Sequence, residues 1–446
     1  MGKLTTTYDM LVIGGGFAGI TAARELRSAG WTVLVLEARD RLGGRAWFKP
    51  NALGEIALEM GGTWIDPRER YAWAEAKRYR LQLSQPVAGA WPSTWLVQGR
   101  LHRGALPLPI AEIPDVERLV TAFSGAAGRI DPGRPLAEQN LADLDISLEE
   151  YLERLRLGAA TRDLAEVFFR AYGSAEARNI SALHLIRRIA AAGSLAEFVM
   201  SASGYRLREG TGVLVAAIAA DADADLRFST PVQAVRQDAT SVAALSAAGV
   251  FHGRSAVIAV PLNVLKQIEF EPPLTAPKQR LSTQELACAG IKLWVVVKGA
   301  PTDFFANGRA AGLDWLESEG TIVQGGALMV GYGPDADALD IADHKAVQRA
   351  VRSFVPEGEV LAIAGHDWRH DPYARETWAV FRPGQLTSDE PSLRMPEGLL
   401  SFAGAHTALR WNGFIDGAIE SGFRAAQETS ARLQSLRLQG SRQEQA

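Results

Sequence analysis

The chain is poor in the residues that most often carry reactive side-chain chemistry. Cys288 is the single cysteine among 446 residues. One thiol cannot close an internal disulfide, nor build a cysteine-based metal centre alone. A chain of this kind fits a reducing compartment, and a cytoplasmic location is expected. There are seven histidines, and neither a metal-ligating cluster nor a Ser-His-Asp arrangement emerges, so no metal is expected. No excess of one charge exists: 47 Lys and Arg stand against 51 Asp and Glu, a net charge of −4. That excludes the basic footprint of a nucleic-acid or anionic-membrane binder. No run reaches the ~20 apolar residues that a membrane helix needs. The opening MGKLTTTYDMLVIGGG has no apolar signal segment before its first strand. MGKLTT meets only the short, loose pattern for N-myristoylation and is set aside. No internal repeat is seen. The acidic run 221–225, DADAD, lacks the glycine and distal glutamate of a calcium loop and reads as a surface turn.

What is present is an ordinary globular composition, 47% hydrophobic and 22% charged, long enough for two or three domains. Residues 8–37, YDMLVIGGGFAGITAARELRSAGWTVLVLE, carry the first strong signal. Met10 to Ile13 is a buried-strand run. Gly14, Gly16 and Gly19 then form G-x-G-x-x-G. Ile20 to Ala29 reads as a helix, and Thr32 to Leu36 as a second buried strand closed by Glu37. In this context Gly14 permits the tight turn, Gly16 lets the backbone approach a pyrophosphate, and Gly19 lets the helix pack on the strand. The helix N-terminus offers N–H groups and a positive dipole end to phosphate. Glu37 is spaced to accept hydrogen bonds from an adenosine ribose. The segment predicts dinucleotide binding.

The next residues select among dinucleotides. Glu37 to Arg45, EARDRLGGR, resembles the LEAR-x-R-x-GGR signature of the FAD-dependent amine oxidase superfamily. The resemblance implies that Arg39, the second glycine turn Gly43-Gly44, and Arg45 serve the cofactor. Glu59 to Trp64, EMGGTW, resembles the family's Gly-Gly segment, which would bring Gly61, Gly62 and Thr63 close to a flavin. Residues 402–422, FAGAHTALRWNGFIDGAIESG, resemble its C-terminal strand, turn and helix. That implies Gly404 and Ala405 near the ribityl and phosphate groups, and Phe414, Ile415 and Ala418 opening the last helix beside the isoalloxazine. His406 stands where the family usually has a glutamate. YRLREGTGVL (205–214) resembles the entry into a second cofactor segment. Pro231 to Val235 resembles the strand whose valine, Val232 here, meets the adenine, and VIAVP (257–261) resembles the strand that follows.

Residues 289–299, AGIKLWVVVKG, alternate with period two and read as a strand. By itself that pattern makes Lys292 and Lys298 members of a wet face. In the amine oxidase superfamily a lysine on such a strand faces the flavin and holds a water against N5. The resemblance therefore makes Lys292 a site residue, with Trp294 and Val296 sharing its face toward the cavity, and leaves Lys298 a solvated strand end. Residues 366–384, HDWRHDPYARETWAVFRPG, resemble a further family segment. Trp368 would pack near the flavin, and Trp378 and Phe414 would be the two walls of an aromatic slot for a neutral amine. Covalently flavinylated relatives carry a cysteine just before the first aromatic. Thr377 occupies that place, so non-covalent FAD is expected.

The implied fold class is α/β: a two-domain, Rossmann-like FAD/NAD(P)-binding fold of the amine oxidase type, with a mixed helical and sheet substrate domain. The FAD domain is expected to be discontinuous, over 1–80, 205–288 and 392–435. The substrate domain is expected over 81–204 and 289–391, with a polar tail at 436–446. Helices are expected across 140–204, with His184 packed inside them, and a loop over 86–110, carrying Trp91 and Trp95, is expected to roof the cavity. The expected activity is hydride transfer from an amine α-carbon to flavin N5, followed by hydrolysis of the imine, in a bacterial enzyme. The substrate would be a lipophilic, aromatic or cyclic amine, and the final acceptor O2 or a protein. A clamp for an amino-acid carboxylate would need an arginine at Trp64, and a polyamine tunnel would need acids in 81–110, where none is seen. The nicotine-degrading branch of the family is the nearest in flavour. A flavin desaturase or isomerase, or a regulatory flavoprotein, remains the alternative, and homodimerisation is left open.

Overall fold

In the computed structural model, residues 7–84, 93–201 and 204–443 are described. The MGKLTT pattern, Trp91 and the last three residues lie outside them. The first strand, Thr7–Ile13, pairs in parallel with Val33–Leu36 on one side and Gly249–Ile258 on the other. Met10, Val12, Val33 and Val35 enter one core, and Leu11, Ile13, Leu34 and Leu36 enter another. Burial on both faces explains why these strands read as unbroken apolar runs. Along the described path the sheet order continues from Gly249–Ile258 through Val242–Ser246 and Val232–Gln237 to Glu269–Glu271. The end of the long strand Gly249–Ile258 also pairs with Leu400–Phe402, so the two ends of the chain meet in one sheet.

The first helix covers Phe17–Ser28, beginning three residues before the expected start at Ile20. Its first turn is already helical because Gly16, in extended conformation, serves as the N-cap. It packs against the last helix, Ile415–Gln443, which continues through most of the expected polar tail. A buried fork also joins the first helix to Arg70–Arg78: Arg24 Nη1 and Nη2 donate to the Glu75 carboxylate at 2.5 and 2.9 Å, and Nη1 also donates to Tyr79. Removing Glu75 would leave the buried Arg24 guanidinium with the partly exposed Glu25 carboxylate, 2.9 Å from Nε, as its one carboxylate partner, and its two terminal nitrogens without theirs. Glu75→Ala is expected to cost about 3–5 kcal/mol, read as a lower denaturant midpoint at constant slope. A loss below about 1 kcal/mol would mean that the fork contributes no more than a surface pair.

The second large sheet runs in the order Glu359–Gly365, Ile291–Lys298, Gly326–Gly333, Leu313–Val323, Phe305–Ala310, Ser93–Val97 and Arg100–Arg103. The expected roof loop is, over its described part, the hairpin 93–103 at this sheet's edge. Ser93 to Leu96 pair in parallel with Phe305 to Gly308, and the Trp95 ring packs edge-on against Phe305. β-Branched and aromatic residues at alternate positions find partners on the sheet edge there, and Trp95 is not a cavity wall. The helices Leu148–Arg154, Ala159–Gly173, Ala182–Ala192 and Leu195–Ser201 fill the expected helical region. His184 is fully buried against Phe381, and burial beside Arg188 and Arg187 pushes its pKa well down. Among the described residues no helix is long and apolar enough to cross a membrane.

Candidate active site

The two sheets and the helices enclose a continuous cavity of about 570 Å³. At one end lies the first glycine turn. Gly14 has φ +106°, and a Cβ on Gly19 would lie 1.9 Å from Gly14 O, so Gly19 supports the turn from beneath without lining the cavity. Gly16 is different. A Cβ there would meet nothing nearer than Gly44 Cα at 3.9 Å, because Gly16 opens onto the cavity at the N-terminus of the first helix, where no side chain caps the free N–H groups. Gly16 bridges to Gly43, and Gly43 N donates to Gly15 O at 2.9 Å. The second glycine turn is thereby laid beside the first, and Gly43 and Gly44 both line the cavity. Glu37 accepts from Gly15 N at 2.6 Å and from Arg39 N at 2.8 Å, which fixes its carboxylate at the cavity wall. Arg39 is held by Asp371 at 2.5 Å, and Arg45 by the buried Glu376 at 2.6 Å. Burial pushes the Glu376 carboxyl up to about 7. Neither acidic partner is legible in the sequence.

The middle of the cavity is formed by Met60 to Trp64. A Cβ on Gly61 would fall 1.8 Å from Arg45 O, so only glycine lets this segment lie against the second turn. Gly62 and Thr63 follow it along the wall, and Trp368 covers it, donating Nε1 to Met60 O at 2.9 Å. Val232 lines the glycine-turn end, two residues beyond Thr230, whose N donates to Glu37 O at 2.9 Å. Gly404, Ala405, Ile415 and Ala418 come to the wall from the far end of the chain. Gly404 N donates to Ser421 Oγ at 2.9 Å, tying the turn to the last helix. His406 is not a cavity wall. It is buried, and desolvation with Arg45 and Arg424 nearby pushes its pKa down to about 3, so it is neutral and offers phosphate no charge.

Lys292 lies on the strand Ile291–Lys298 and is 9% exposed. Its Nζ donates to Gly61 O at 3.0 Å and Thr63 Oγ1 at 2.5 Å, and lies 4.9 Å from the centre of the Trp64 ring. Burial pushes its pKa down to about 7, against the opposing pull of Glu59. Two tetrahedral directions are used by these acceptors, and a third is left for a group in the cavity. Trp294 and Val296 share its face but not its destination. Both pack with Leu58, Met60, Val330 and Trp368, and Trp294 Nε1 donates to Glu59 O at 2.9 Å. Lys292 alone of the three lines the cavity, because the other two are taken up in the cluster with Leu58, Met60 and Trp368. Lys298 is exposed at the strand end, 3.5 Å from Glu359.

Trp378 and Phe414 both line the cavity, but they do not bound a gap. Their ring centres are 5.2 Å apart and tilted by 53°. A flat molecule between two rings needs about 7 Å, twice the ~3.5 Å contact distance. The expected two-walled slot is therefore a single aromatic wall. Behind it Arg188, from the helix Ala182–Ala192, is fully buried. Its guanidinium lies 4.5 Å from the Trp378 ring centre and 5.1 Å from that of Phe414, and Nη1 donates to Tyr172 O at 2.8 Å. Burial beside Arg187 pulls its pKa down to about 9, which leaves it cationic at neutral pH. Tyr172, Trp315, Tyr332 and Trp64 supply the facing walls, with the carboxyl groups of Glu317 and Glu69 among them, both pushed up in pKa by burial, Glu69 strongly. The sequence expectation missed both acids and Arg188. Glu317 alternates with Trp315 in LDWLESEG, which puts it beside that ring, but which sheet face turns inward cannot be read locally.

The profile of the family described as Flavin containing amine oxidoreductase matches residues 17–429. Among curated proteins, this chain is 34% identical over 442 residues to the pseudooxynicotine dehydrogenase of a Pseudomonas species, covering 96% of this chain and 87% of that protein. It is 31% identical over 422 residues to the (S)-6-hydroxynicotine oxidase of Paenarthrobacter nicotinovorans, covering 93% and 97%. Among solved structures, putrescine oxidase bound to putrescine superposes with a TM-score of 0.85 at 23% identity, covering 96% of this chain and all of that one. Cyclohexylamine oxidase from Brevibacterium oxydans gives 0.82 at 21%, covering 96% and 99%. These two structural likenesses bear on the fold.

Proposed function

Because this chain belongs to the flavin-containing amine oxidoreductase family, we propose that the glycine-lined half of its cavity holds FAD without a covalent link and that the aromatic half receives a lipophilic, aromatic or cyclic amine. The protein is an oxidoreductase acting on an amine. Bound there, FAD supplies the two-electron acceptor that takes hydride from the carbon next to nitrogen, and the imine left behind is hydrolysed by water.

The residues of this chain do the rest. Gly16 and the helix behind it leave N–H groups and open space for the pyrophosphate, and Gly43, Gly44 and Arg45 supply a second set of donors. Glu37 offers its remaining lone pairs to a ribose. Thr377 at the wall, and a Cys288 thiol that does not line the cavity, is turned onto Trp378 O and is pushed up to about 11 by burial, support a non-covalent cofactor. The aromatic wall excludes water. The Arg188 cation behind it opposes a protonated amine and favours the neutral form, whose lone pair assists loss of hydride. Lys292, with one direction unspent, holds a water or a proton at the junction of the two halves.

The observation that carries this reading is the Lys292 ammonium group gathered onto Gly61 O and Thr63 Oγ1 between the glycine turns and the aromatic wall. The test is an anaerobic absorbance titration with lipophilic primary, secondary and cyclic amines, including the nicotine-type amines for which the relatives are named. Bleaching of the oxidised flavin band by at least one of them is expected. Admitting air then separates O2 from a protein acceptor by the rate at which colour returns. A flavin that dithionite bleaches and no amine does would defeat the reading.

A further inference from the structure

Resting on the reading that FAD occupies the glycine-lined half of the cavity, we infer that Glu376 is a positioning residue that couples cofactor binding to a proton. It holds Arg45 ready for the pyrophosphate, and it takes up a proton as the pyrophosphate settles on that arginine.

The geometry leaves Arg45 shared between the protein and the cavity. Arg45 lines the cavity beside the second glycine turn. It donates Nη1 to Glu376 Oε1 at 2.6 Å, and among the described residues its side chain makes no other hydrogen bond. The rest of its N–H groups are left for a ligand. Glu376 has no such freedom. It is fully buried, and its second oxygen accepts only a long bond, 3.2 Å from Asn263 N. Asn263 is itself pinned, donating Nδ2 to Arg375 O at 3.0 Å and accepting from Leu286 N at 2.7 Å. A carboxylate in such a place depends on the cation that faces it.

The surrounding charges leave Arg45 alone in that role. Glu285, from the segment after the helix Ala276–Gln284, opposes a second negative charge, and its own charge is paired with Lys266 and Arg369. Arg375, on the same segment as Glu376, lies toward Glu285 at 3.9 Å. The Cys288 thiol is kept neutral by burial. On the other side of Arg45, His406 is neutral, and Arg424 is occupied by Glu428 and Phe402 O. Burial against the pull of Arg45 brings the Glu376 carboxyl to about 7. It is therefore divided between its two forms near neutral pH.

A phosphate on the free edge of Arg45 shifts that division. Two anions on opposite edges of one guanidinium lie roughly 7 Å apart. At an effective dielectric of about 20, a unit charge at that separation disfavours the carboxylate roughly 30- to 50-fold. Charge then balances: the dianion enters, a proton enters with it, and Arg45 ends between phosphate and a neutral acid. Well below pH 7 the acid is protonated with or without the cofactor, so affinity there does not depend on its ionisation. As pH rises through about 7, the empty site loses the proton and the loaded site keeps it. Affinity falls until the loaded site titrates as well.

The experiment starts from protein stripped of flavin. FAD affinity, read by fluorescence quenching, is expected to weaken about tenfold or more between about pH 6 and about pH 8.5 in the wild type. Glu376→Gln keeps an acceptor for Arg45 but cannot ionise. Its affinity is expected to stay within about threefold of the wild-type acid value throughout, and so to exceed the wild type at the alkaline end. Proton uptake at about pH 7.5, followed with an indicator dye in light buffer, is expected to be roughly half a proton or more per FAD in the wild type and near zero in Glu376→Gln. The wild-type uptake needs no variant to fold. Lys292→Met is expected to retain it, which separates Glu376 from the other titrating group on the wall. Absence of uptake in the wild type, equal uptake in Glu376→Gln, or a variant weaker by one factor at every pH overturns the coupling while FAD still binds. If the folded wild type takes up no FAD at any pH, the FAD reading falls and the inference with it.

Discussion

Replacing Lys292 by methionine is expected to slow anaerobic flavin reduction by an amine on the order of 100-fold, within the range lost when a positioned proton-handling group is removed. Methionine keeps the length and apolar stem, so the cavity keeps its shape and the flavin its colour. What goes is the nitrogen held at Gly61 O and Thr63 Oγ1. The pH dependence is the sharper readout. With its pKa pushed down to about 7, Lys292 is neutral above that pH and charged below it. A limb of the rate profile that rises through about pH 7 in the wild type is expected to be absent from the variant. Stability moves the other way. The folded pKa lies below the ordinary 10.5, so the unfolded chain binds the extra proton between those values. The penalty of burying this amine is full below about pH 7 and fades as pH rises toward 10.5. The methionine variant should gain stability over the wild type most at the acidic end of that window. Wild-type kinetics with an unchanged profile would remove Lys292 from the reaction.

Gly16→Val is expected to yield a folded, colourless protein whose affinity for FAD is at least about 100-fold lower. The backbone there is extended, with φ −74° and ψ 178°, which valine adopts without strain. The nearest protein atom to a new Cβ is 3.9 Å away, so the fold has no reason to object. The side chain instead occupies the space in front of the first helix. Losing two hydrogen bonds to a charged phosphate costs about 3–6 kcal/mol, or roughly 100-fold and more. Gly19→Ala makes the contrast. Its Cβ would strike Gly14 O at 1.9 Å, so it should lower the unfolding midpoint as well as the affinity. Circular dichroism and flavin titration read the two losses separately. A yellow Gly16→Val protein with wild-type affinity would show that the pyrophosphate does not lie at this turn.

Much of this was legible in the chain because it is written locally. Strand, glycine turn, helix, strand and acid follow one another within 8–37, and each is dictated by residues a few positions apart. The same holds for the period-two strand that carries Lys292. The first helix began earlier than expected because a glycine N-cap leaves no polar signature. The expected roof loop proved to include a hairpin because its partner strand, Phe305–Ala310, lies some two hundred residues away.

The sequence by itself determined the glycine turn, the family and most of the residues that line the glycine-rich half of the cavity. Only the tertiary structure decided what faces what. It turned Trp294 and Val296 into packing and Lys292 into the cavity. It closed Trp378 onto Phe414, set Arg188 behind them, and brought Glu317 and Tyr332 onto the face that carries Lys292. These outcomes depend on which side of a sheet another segment covers, and on charges contributed by elements far apart in the chain. Local periodicity names the two faces of a strand, but burial and electrostatics, which choose between them, are set by the whole fold.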